Sequence, residues 1–292
     1  MTSGSGEGLL VVIVLSYNKR AQTLRCLESV RQLRYRPLKV LVVDNASSDG
    51  SAEAVAAGYP EVHLVRSLVN RGAAGGRNFG TGYARSRFDP AYVLFLDDDA
   101  VVDERLAGEL VAIMRDDPGV GLATPKAYRF GTRDVIASAG GMQVRLGRGS
   151  ITDIGAGARD VGQFEKSGTV ESCVGFTVLA RWEALERCQG FDERYNPYGW
   201  EEVDLSLRIR EAGYTIKYAP TAVCWHAGGT PGRGRRLARY ERGKIVNYLR
   251  LMRRHATAGE WLTFLAIMPL RAAQVMSAQV KGIVRQTRGH RT

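Results

Sequence analysis

Three consecutive aspartates, Asp97, Asp98 and Asp99, follow an apolar run in the stretch YVLFLDDDAVVDERL, Tyr92 to Leu106. Adjacent like charges repel, so such a cluster persists where a cation neutralises it or where all three carboxylates are solvated at a loop edge. In an extended segment alternate side chains point the same way, which lets Asp97 and Asp99 face one pocket while Asp98 faces the other side. Two convergent hard oxygen ligands suit Mg2+ or Mn2+, whose shells are completed by waters and substrate phosphates. The competing use is a helix N-cap, Asp98 or Asp99 closing a helix that begins near Asp103.

Other residue groups could do chemistry. Asp44 ends an apolar run, and its carboxylate could accept the imide N–H of a uracil or thymine ring held by backbone groups of Ser16, Tyr17 and Asn18; an Asx-turn into NASSDGS is the alternative. NRGAAGGRNFG, 70–80, is neither a dinucleotide fingerprint nor a Walker loop, but its glycines could admit backbone close to a ligand, with Arg77 and Asn78 directed at a diphosphate or ribose. In WEEVDLSLRIREAG, Leu205, Ile209 and Ala212 share one helical face, which puts Glu201, Glu202 and Asp204 at the helix start, where acids also suit the macrodipole. Trp200 beside them could stack on a sugar ring or simply pack. His226, after an apolar strand, reads as structural when taken alone.

Short Val/Ile/Leu-rich runs at 9–15, 38–44, 61–66, 91–97 and 119–124 must position these groups. Continuous apolar runs indicate strands buried on both faces. Helical patterns separate them at about 20–33, with Leu24, Leu27, Val30 and Leu33 in helical register, then 48–57, 73–87 and 103–116. Four such alternations predict an open, mainly parallel α/β sheet with helices on both faces. Ligands collect beyond the carboxyl ends of such strands, where SYN, DNASSDGS and DDD all stand. The segment 126–170 reads as a glycine-rich excursion containing a hairpin.

The chain has 292 residues, 45% of them hydrophobic, which suffices for a real core. Cys26, Cys173, Cys188 and Cys224 form no CxxC pair, so neither a zinc ribbon nor a disulfide framework is expected, and a reducing, cytoplasmic setting fits. The leader 1–8 is small and polar, without the features of a secretory signal. Residues 1–230 carry 27 basic and 28 acidic groups; residues 231–292 carry 14 and 2. A near-neutral body with a basic, amphipathic C-terminal extension is therefore expected. The uncharged run from Trp261 to Leu270 is too short to span a bilayer, and an interfacial helix is expected there, either on an anionic membrane or as a cap on the body or on a second subunit.

VVIVLSYN, VVDNASSDGS, NRGAAGGRNFG, FLDDDAVV and GWEEVDLSLRIREAGYTIKYAPTAVCWHAGG, in this order and spacing over about 9–230, resemble the family 2 inverting glycosyltransferases of GT-A fold, especially bacterial rhamnosyltransferase-like and related polysaccharide enzymes. The resemblance implies a nucleotide-binding half at about 9–124 and an acceptor half at about 125–230. It implies that Ser16, Tyr17, Asn18 and Asp44 bind the nucleoside of a UDP- or dTDP-sugar, dTDP-rhamnose preferred, with Arg77, Asn78 and Asp98 on the nucleotide side. It further implies that Asp99 is the principal ligand of a divalent cation, Mn2+ or Mg2+, that Asp97 approaches the ribose or shares the metal, and that His226 reaches the cation or diphosphate. Glu202 would be the general base, with Glu201 second; the family's usual residue at that place is Asp. Gly175, in SCVGFTVLAR, would permit close approach of the sugar, and Asp204 would orient the helix start or the acceptor. A glycan or lipid-linked glycan at the inner membrane face is the implied acceptor.

Two other classes fit less well. A nucleic-acid-binding protein would use the basic tail, but no helix-turn-helix, zinc finger or aromatic RNA-binding motif accompanies it. A sugar-phosphate nucleotidyltransferase would show an N-terminal glycine- and arginine-rich signature where LSYNKRAQT stands.

Overall fold

The computed structural model describes residues 8–197, 199–228 and 235–269, so the leader up to residue 7, the junction at 229–234 and the tail beyond 269 lie outside the described residues. Strands β1 (Leu10–Ser16), β2 (Leu38–Asp44), β3 (His63–Arg66) and β4 (Tyr92–Asp97) alternate with helices α1 (Arg20–Arg31), α2 (Ser51–Gly58) and α3 (Gly72–Arg87). The chain continues through β5 (Ala100–Val102), α4 (Leu106–Asp116), β6 (Val120–Arg129), β7 (Ile136–Ala139), the hairpin β8 (Met142–Arg145) and β9 (Ser150–Asp153), and β10 (Gly168–Thr169). It closes with β11 (Thr177–Arg181), α5 (Trp182–Arg187), α6 (Glu201–Glu211), β12 (Thr215–His226), α7 (Arg235–His255) and a further helix, α8, over 258–269.

The sheet runs β10-β12-β6-β11-β4-β1-β2-β3. Its β4-β1-β2-β3 half is parallel throughout, and the register sets Ser16 opposite Asp44 and Leu15 opposite Asp97. Three polar strand ends thus finish level on one edge. The sequence pattern does not reveal that β11 enters antiparallel between β4 and β6, separating the predicted fifth parallel strand from the other four.

Adjacent residues of β1 serve opposite cores. Leu10, Val12 and Val14 pack with Cys26, Leu27 and Leu110 on the α1/α4 side, while Val11 and Ile13 pack with Ala74, Ala84, Leu205 and Ile209 on the α3/α6 side. This two-sided burial explains why the strand is uniformly apolar. On α1 the buried positions are Thr23, Cys26, Leu27 and Val30, so Leu24 sits at the edge of the predicted face.

The glycines of α3 answer to packing. A Cβ on Gly76 would lie 2.5 Å from Leu15 Cδ1, and one on Gly80 would lie 2.7 Å from Val43 Cγ2. One glycine-lined helix face lets α3 press onto β1 and β2, so the backbone approach expected of this segment is to protein.

The C-terminal extension is partly core. Leu251 and Met252 of α7 are fully buried against Met142, Leu146, Tyr195 and Val203, and Trp261 and Phe264 of α8 join the same cluster.

Candidate active site

At the level edge, Asp97 ends β4 and Asp98 and Asp99 form a turn before β5. Because the segment turns, strand alternation does not itself orient the carboxylates. Asp98 is drawn toward the β1–α1 junction, accepting from Tyr17 N at 3.1 Å and Lys19 Nζ at 3.0 Å. Asp99 accepts from Lys19 Nζ at 3.0 Å and lies 3.2 Å from His226 Nε2. Neither caps the next helix: α4 starts at Leu106, and Asp103 accepts from Arg105 N.

Among the described residues, Asp97, Asp99 and His226 bring one ligand atom each within 4.8 Å of one another. His226 arrives through β12, whose register slips between Ala219 and Val223, where Pro220 interrupts the ladder; beyond the slip His226 pairs with Ala100 of β5. Phe176 stacks on the imidazole at 4.0 Å between centroids and 11° between planes, fixing the ring. Two carboxylates and one imidazole suit a divalent first-row cation.

The electrostatics separate the two buried neighbours. Burial pushes Asp98 up to about 6 against the pull of Lys19 and the Tyr17 amide. Burial acts on Asp99 in the same direction, but the His226 hydrogen bond and charge, with Lys19, outweigh it and hold Asp99 well below the usual carboxylate range. Lys19 is raised: burial opposes its charge, but Asp98 and Asp99 together more than compensate. Lys19 was not singled out from sequence; a cation directly after SYN, on the strand end that a triple aspartate shares, is the signal that could have found it.

Arg77 occupies the centre and is 3% exposed. Its guanidinium donates to Asp97 Oδ1 at 2.8 Å, Glu201 Oε1 at 3.1 Å and Gly175 O at 2.9 Å. Rather than reaching a diphosphate, it joins the cation cluster to the acids of α6. Glu201 is saturated, because Gly199 N donates to its other oxygen at 2.6 Å.

Glu202 differs. Among the described residues no other side chain hydrogen-bonds its carboxylate. A Cβ on Gly175 would stand 3.3 Å from Glu202 Cδ, so that glycine makes room for the glutamate itself. Burial first, then the charge of Glu201, pushes Glu202 well above the usual carboxylate range, with Arg77 pulling only partly the other way. A half-buried carboxylate with a raised pKa and no committed partner is equipped to accept a proton.

Asp44 is 1% exposed; its Oδ1 accepts from Ser47 N at 3.3 Å, while Oδ2 has no hydrogen bond and only Arg66 Nε at 3.6 Å. Asn18, at φ 52°, accepts from Ser48 N at 2.7 Å and so ties the first loop to the second. Ser16 is buried with its hydroxyl on Thr23, and Tyr17 is exposed at the cleft. Trp200 precedes α6 at φ 71°, a left-handed conformation strained for an aromatic residue, with its buried indole N–H unpartnered among the described residues and Lys244 Nζ 4.8 Å from its ring.

Two expected site residues are turned elsewhere. Asn78 is engaged by both backbone groups of Phe191 and by Glu193, on the face of α3 away from the aspartates. Asp204 is fully buried, bound by Arg208 Nε at 2.7 Å and His255 Nε2 at 2.9 Å, and so is out of an acceptor's reach. Both point to partners more than 40 positions away in sequence, or to a helical neighbour, that local pattern does not disclose. A cavity of about 680 Å3 also lies apart from the aspartates, between the β8–β9 hairpin, α6 and the C-terminal helices.

Comparison with known proteins agrees with this geometry. The profile of Glycosyl transferase family 2 matches residues 11–187. The N-acetylglucosaminyl-diphospho-decaprenol L-rhamnosyltransferase of Mycobacterium tuberculosis is 28% identical over 247 residues, covering 77% of this chain and 78% of its own. The poly-beta-1,6-N-acetyl-D-glucosamine synthase of Staphylococcus aureus is 24% identical over 75% of this chain and 50% of its own. In fold, the chain resembles GalNAc-T7 crystallised with UDP, GalNAc and Mn2+, with a TM-score of 0.65 at 13% identity over 85% of this chain and 48% of that one. It also resembles the mannosyltransferase PcManGT of Pyrobaculum calidifontis, in complex with GDP-Man and Mn2+, with a TM-score of 0.56 at 20% identity over 96% and 81% of the two chains. With a family profile matched over more than half its length, the chain belongs to glycosyl transferase family 2 and is a glycosyltransferase of GT-A fold.

Proposed function

We propose that the protein is a cation-dependent, inverting glycosyltransferase that moves a sugar from a UDP- or dTDP-sugar to a hydroxyl of a glycan or lipid-linked glycan. The observation that carries this reading is the convergence of Asp97, Asp99 and His226, with Arg77 joining Asp97 to Glu201 beside a Glu202 that no side chain hydrogen-bonds among the described residues. Residues 9–124 form the donor half of the proposed site and 125–230 the acceptor half. The name of the mycobacterial relative supports a rhamnosyl group and an N-acetylglucosaminyl-diphospho-polyprenol acceptor; dTDP-rhamnose is our preferred donor.

Asp97, Asp99 and His226 would hold Mn2+ or Mg2+, Mn2+ being favoured by the imidazole. When bound, the cation offsets charge on the departing nucleoside diphosphate. Glu202 takes the proton of the acceptor hydroxyl as its oxygen bonds the anomeric carbon from the face opposite the breaking bond to phosphate. Arg77 holds Asp97 and Glu201 apart at fixed spacing, and Trp200 offers its ring to the acceptor sugar. Lys19, released from Asp99 by a cation, is placed to meet a phosphate oxygen.

The test is calorimetric titration of UDP and dTDP with and without Mn2+ or Mg2+. Metal-dependent binding supports the donor site and ranks the nucleotides; no binding of either by folded protein removes the reading. Asp44 adds a base-specific check. Its unpartnered Oδ2 suits the imide N–H of uracil or thymine. Asp44→Asn, which offers a donor there instead, is expected to weaken UDP or dTDP binding by about 1.5–3 kcal/mol, roughly 10- to 100-fold, while leaving Mn2+ affinity alone. Equal losses for CDP and UDP would refute that role.

We also place the outer face of the C-terminal helices on an anionic membrane. No described helix is long and apolar enough to cross a bilayer. Ile245 is 62% exposed and Leu262 71%, with Val246, Leu249 and Leu265 also outward and Arg242 and Arg253 on the same α7 stripe. Apolar insertion and about 1 kcal/mol per basic group near the surface act together there. Because α7 also carries Leu251 and Met252 into the core, point changes test this better than truncation. Ile245→Glu with Leu249→Glu is expected to abolish sedimentation with phosphatidylglycerol vesicles at unchanged melting temperature. Wild-type protein that stays in the supernatant would refute the surface, and a doubled mass in solution would assign the face to a second copy.

A further inference from the structure

The loop that presents the acids of α6 is held from behind by α7. Asn247, 2% exposed on the inward face of that helix, donates from Nδ2 to Tyr195 O at 2.8 Å and to Gly199 O at 3.0 Å. It therefore grips both ends of the segment that leads into Glu201 and Glu202. Its own Oδ1 accepts from Arg250, whose guanidinium also donates to Arg194 O just before that segment. Lys244, one turn earlier, lies over the Trp200 ring. One turn beyond the core contacts, His255 bridges Asp204 at 2.9 Å and Glu211 at 2.7 Å, anchoring α7 along the length of α6.

From Asn247 a continuous chain of contacts reaches the cation cluster. Gly199 is held at its carbonyl by Asn247 and donates its N–H to Glu201 Oε2 at 2.6 Å. Glu201 Oε1 meets Arg77, and Arg77 meets Asp97. Gly199 and Trp200 both have positive φ, at 108° and 71°, and a non-glycine residue keeps that conformation only when its surroundings enforce it.

We infer that α7 belongs to the transferase machinery, and that Asn247 is a positioning residue which sets the distance between Glu202 and the Asp97–Asp99–His226 cluster by clamping the Tyr195–Gly199 loop. The inference rests on the transferase reading above and adds to it an element outside the 11–187 family match. The Asn247 amide supplies N–H donors to both the Tyr195 and the Gly199 carbonyl, which aspartate, leucine or alanine cannot do.

The test uses the full chain in three variants: Asn247→Ala, Asn247→Asp and, as a control, Leu251→Ala, which loosens the same helix in the core without touching the loop carbonyls. Turnover is read as nucleoside diphosphate released from the sugar nucleotide that the wild type consumes, normalised to folded protein. Both Asn247 variants are expected to lose kcat by about 10²-fold, the scale of an ångström of misplacement, with Mn2+ and nucleotide affinity unchanged. They should also show faster amide exchange across 195–201 and an altered acid limb of the kcat/KM profile. Leu251→Ala should melt earlier yet keep kcat per folded molecule within about twofold.

Should one Asn247 variant fail to fold, the other carries the comparison. Unaltered kcat or unaltered loop exchange in a folded Asn247 variant overturns the inference, as does an equal kcat loss in Leu251→Ala, which would make α7 a simple cap. Wild-type protein that neither binds nucleotide nor turns over overturns the transferase reading and this inference together. Normal wild-type turnover with unaffected variants overturns this inference alone.

Discussion

Glu202→Gln is expected to lower kcat by about 10²–10⁴-fold while nucleotide and Mn2+ affinity stay within a few fold of wild type. The amide preserves shape and removes only the ability to take a proton. Glu202 is the acid to change first because its neighbour is already committed: Glu201 is bonded through both oxygens, to Arg77 and to Gly199 N. A base needs a free lone pair within reach of its proton, and of the two glutamates Glu202 is the one with neither oxygen hydrogen-bonded to another residue among the described residues. The pH profile supplies a second signature. Burial and the Glu201 charge raise Glu202, so its ionised form is lost as pH falls through that raised value. The acid limb of kcat/KM should lie well above that of an ordinary glutamate, and should vanish in the glutamine variant. Full turnover by Glu202→Gln would sink the assignment.

Asp99→Ala should abolish metal-stimulated nucleotide binding. Among the described residues, Asp99 is the only carboxylate in contact with both His226 and Lys19, at 3.2 and 3.0 Å. Losing even an outer hydrogen-bond partner of a metal ligand costs about 10–100-fold in affinity, so loss of a ligand itself should exceed that. Because Asp99 is held well below the usual carboxylate range, it stays ionised through mildly acidic pH, and acid loss of Mn2+ binding between pH 5 and 7 would have to come from another group. Calorimetry of Mn2+ and UDP on wild type and variant decides the matter, with residual nucleotide binding that no longer responds to metal as the expected result. A variant that keeps metal-stimulated binding would move the cation away from these residues.

Much of the fold was legible. The strands at 38–44 and 91–97 were readable almost residue for residue, because their buried stretches, Leu41–Val43 and Tyr92–Leu96, are apolar throughout and each strand ends at an aspartate. The Asp97–Asp99 pair with His226 was also anticipated, the first two from their spacing and the third from family likeness, and all three converge. Arg77 and Asn78 show the limit. Local pattern put both on a glycine-rich segment near a ligand, yet one became the hub of three acceptors and the other a brace for the Phe191 backbone. Helical spacing sets which way a side chain leaves its helix, but not what the rest of the chain places there.

Sequence by itself determined the alternating strands and helices, the polar ends of β1, β2 and β4, the acidic start of α6 and the charge contrast between body and tail. Those properties are local, set by periodicity, burial and composition. Tertiary structure alone decided that β11 runs antiparallel through the sheet, that a slipped β12 returns His226 to the aspartates, that Lys19 balances them, and that Arg77 commits Glu201 while leaving Glu202 free. Each depends on groups tens of residues apart in the chain, whose charges interact strongly only after folding removes the water between them.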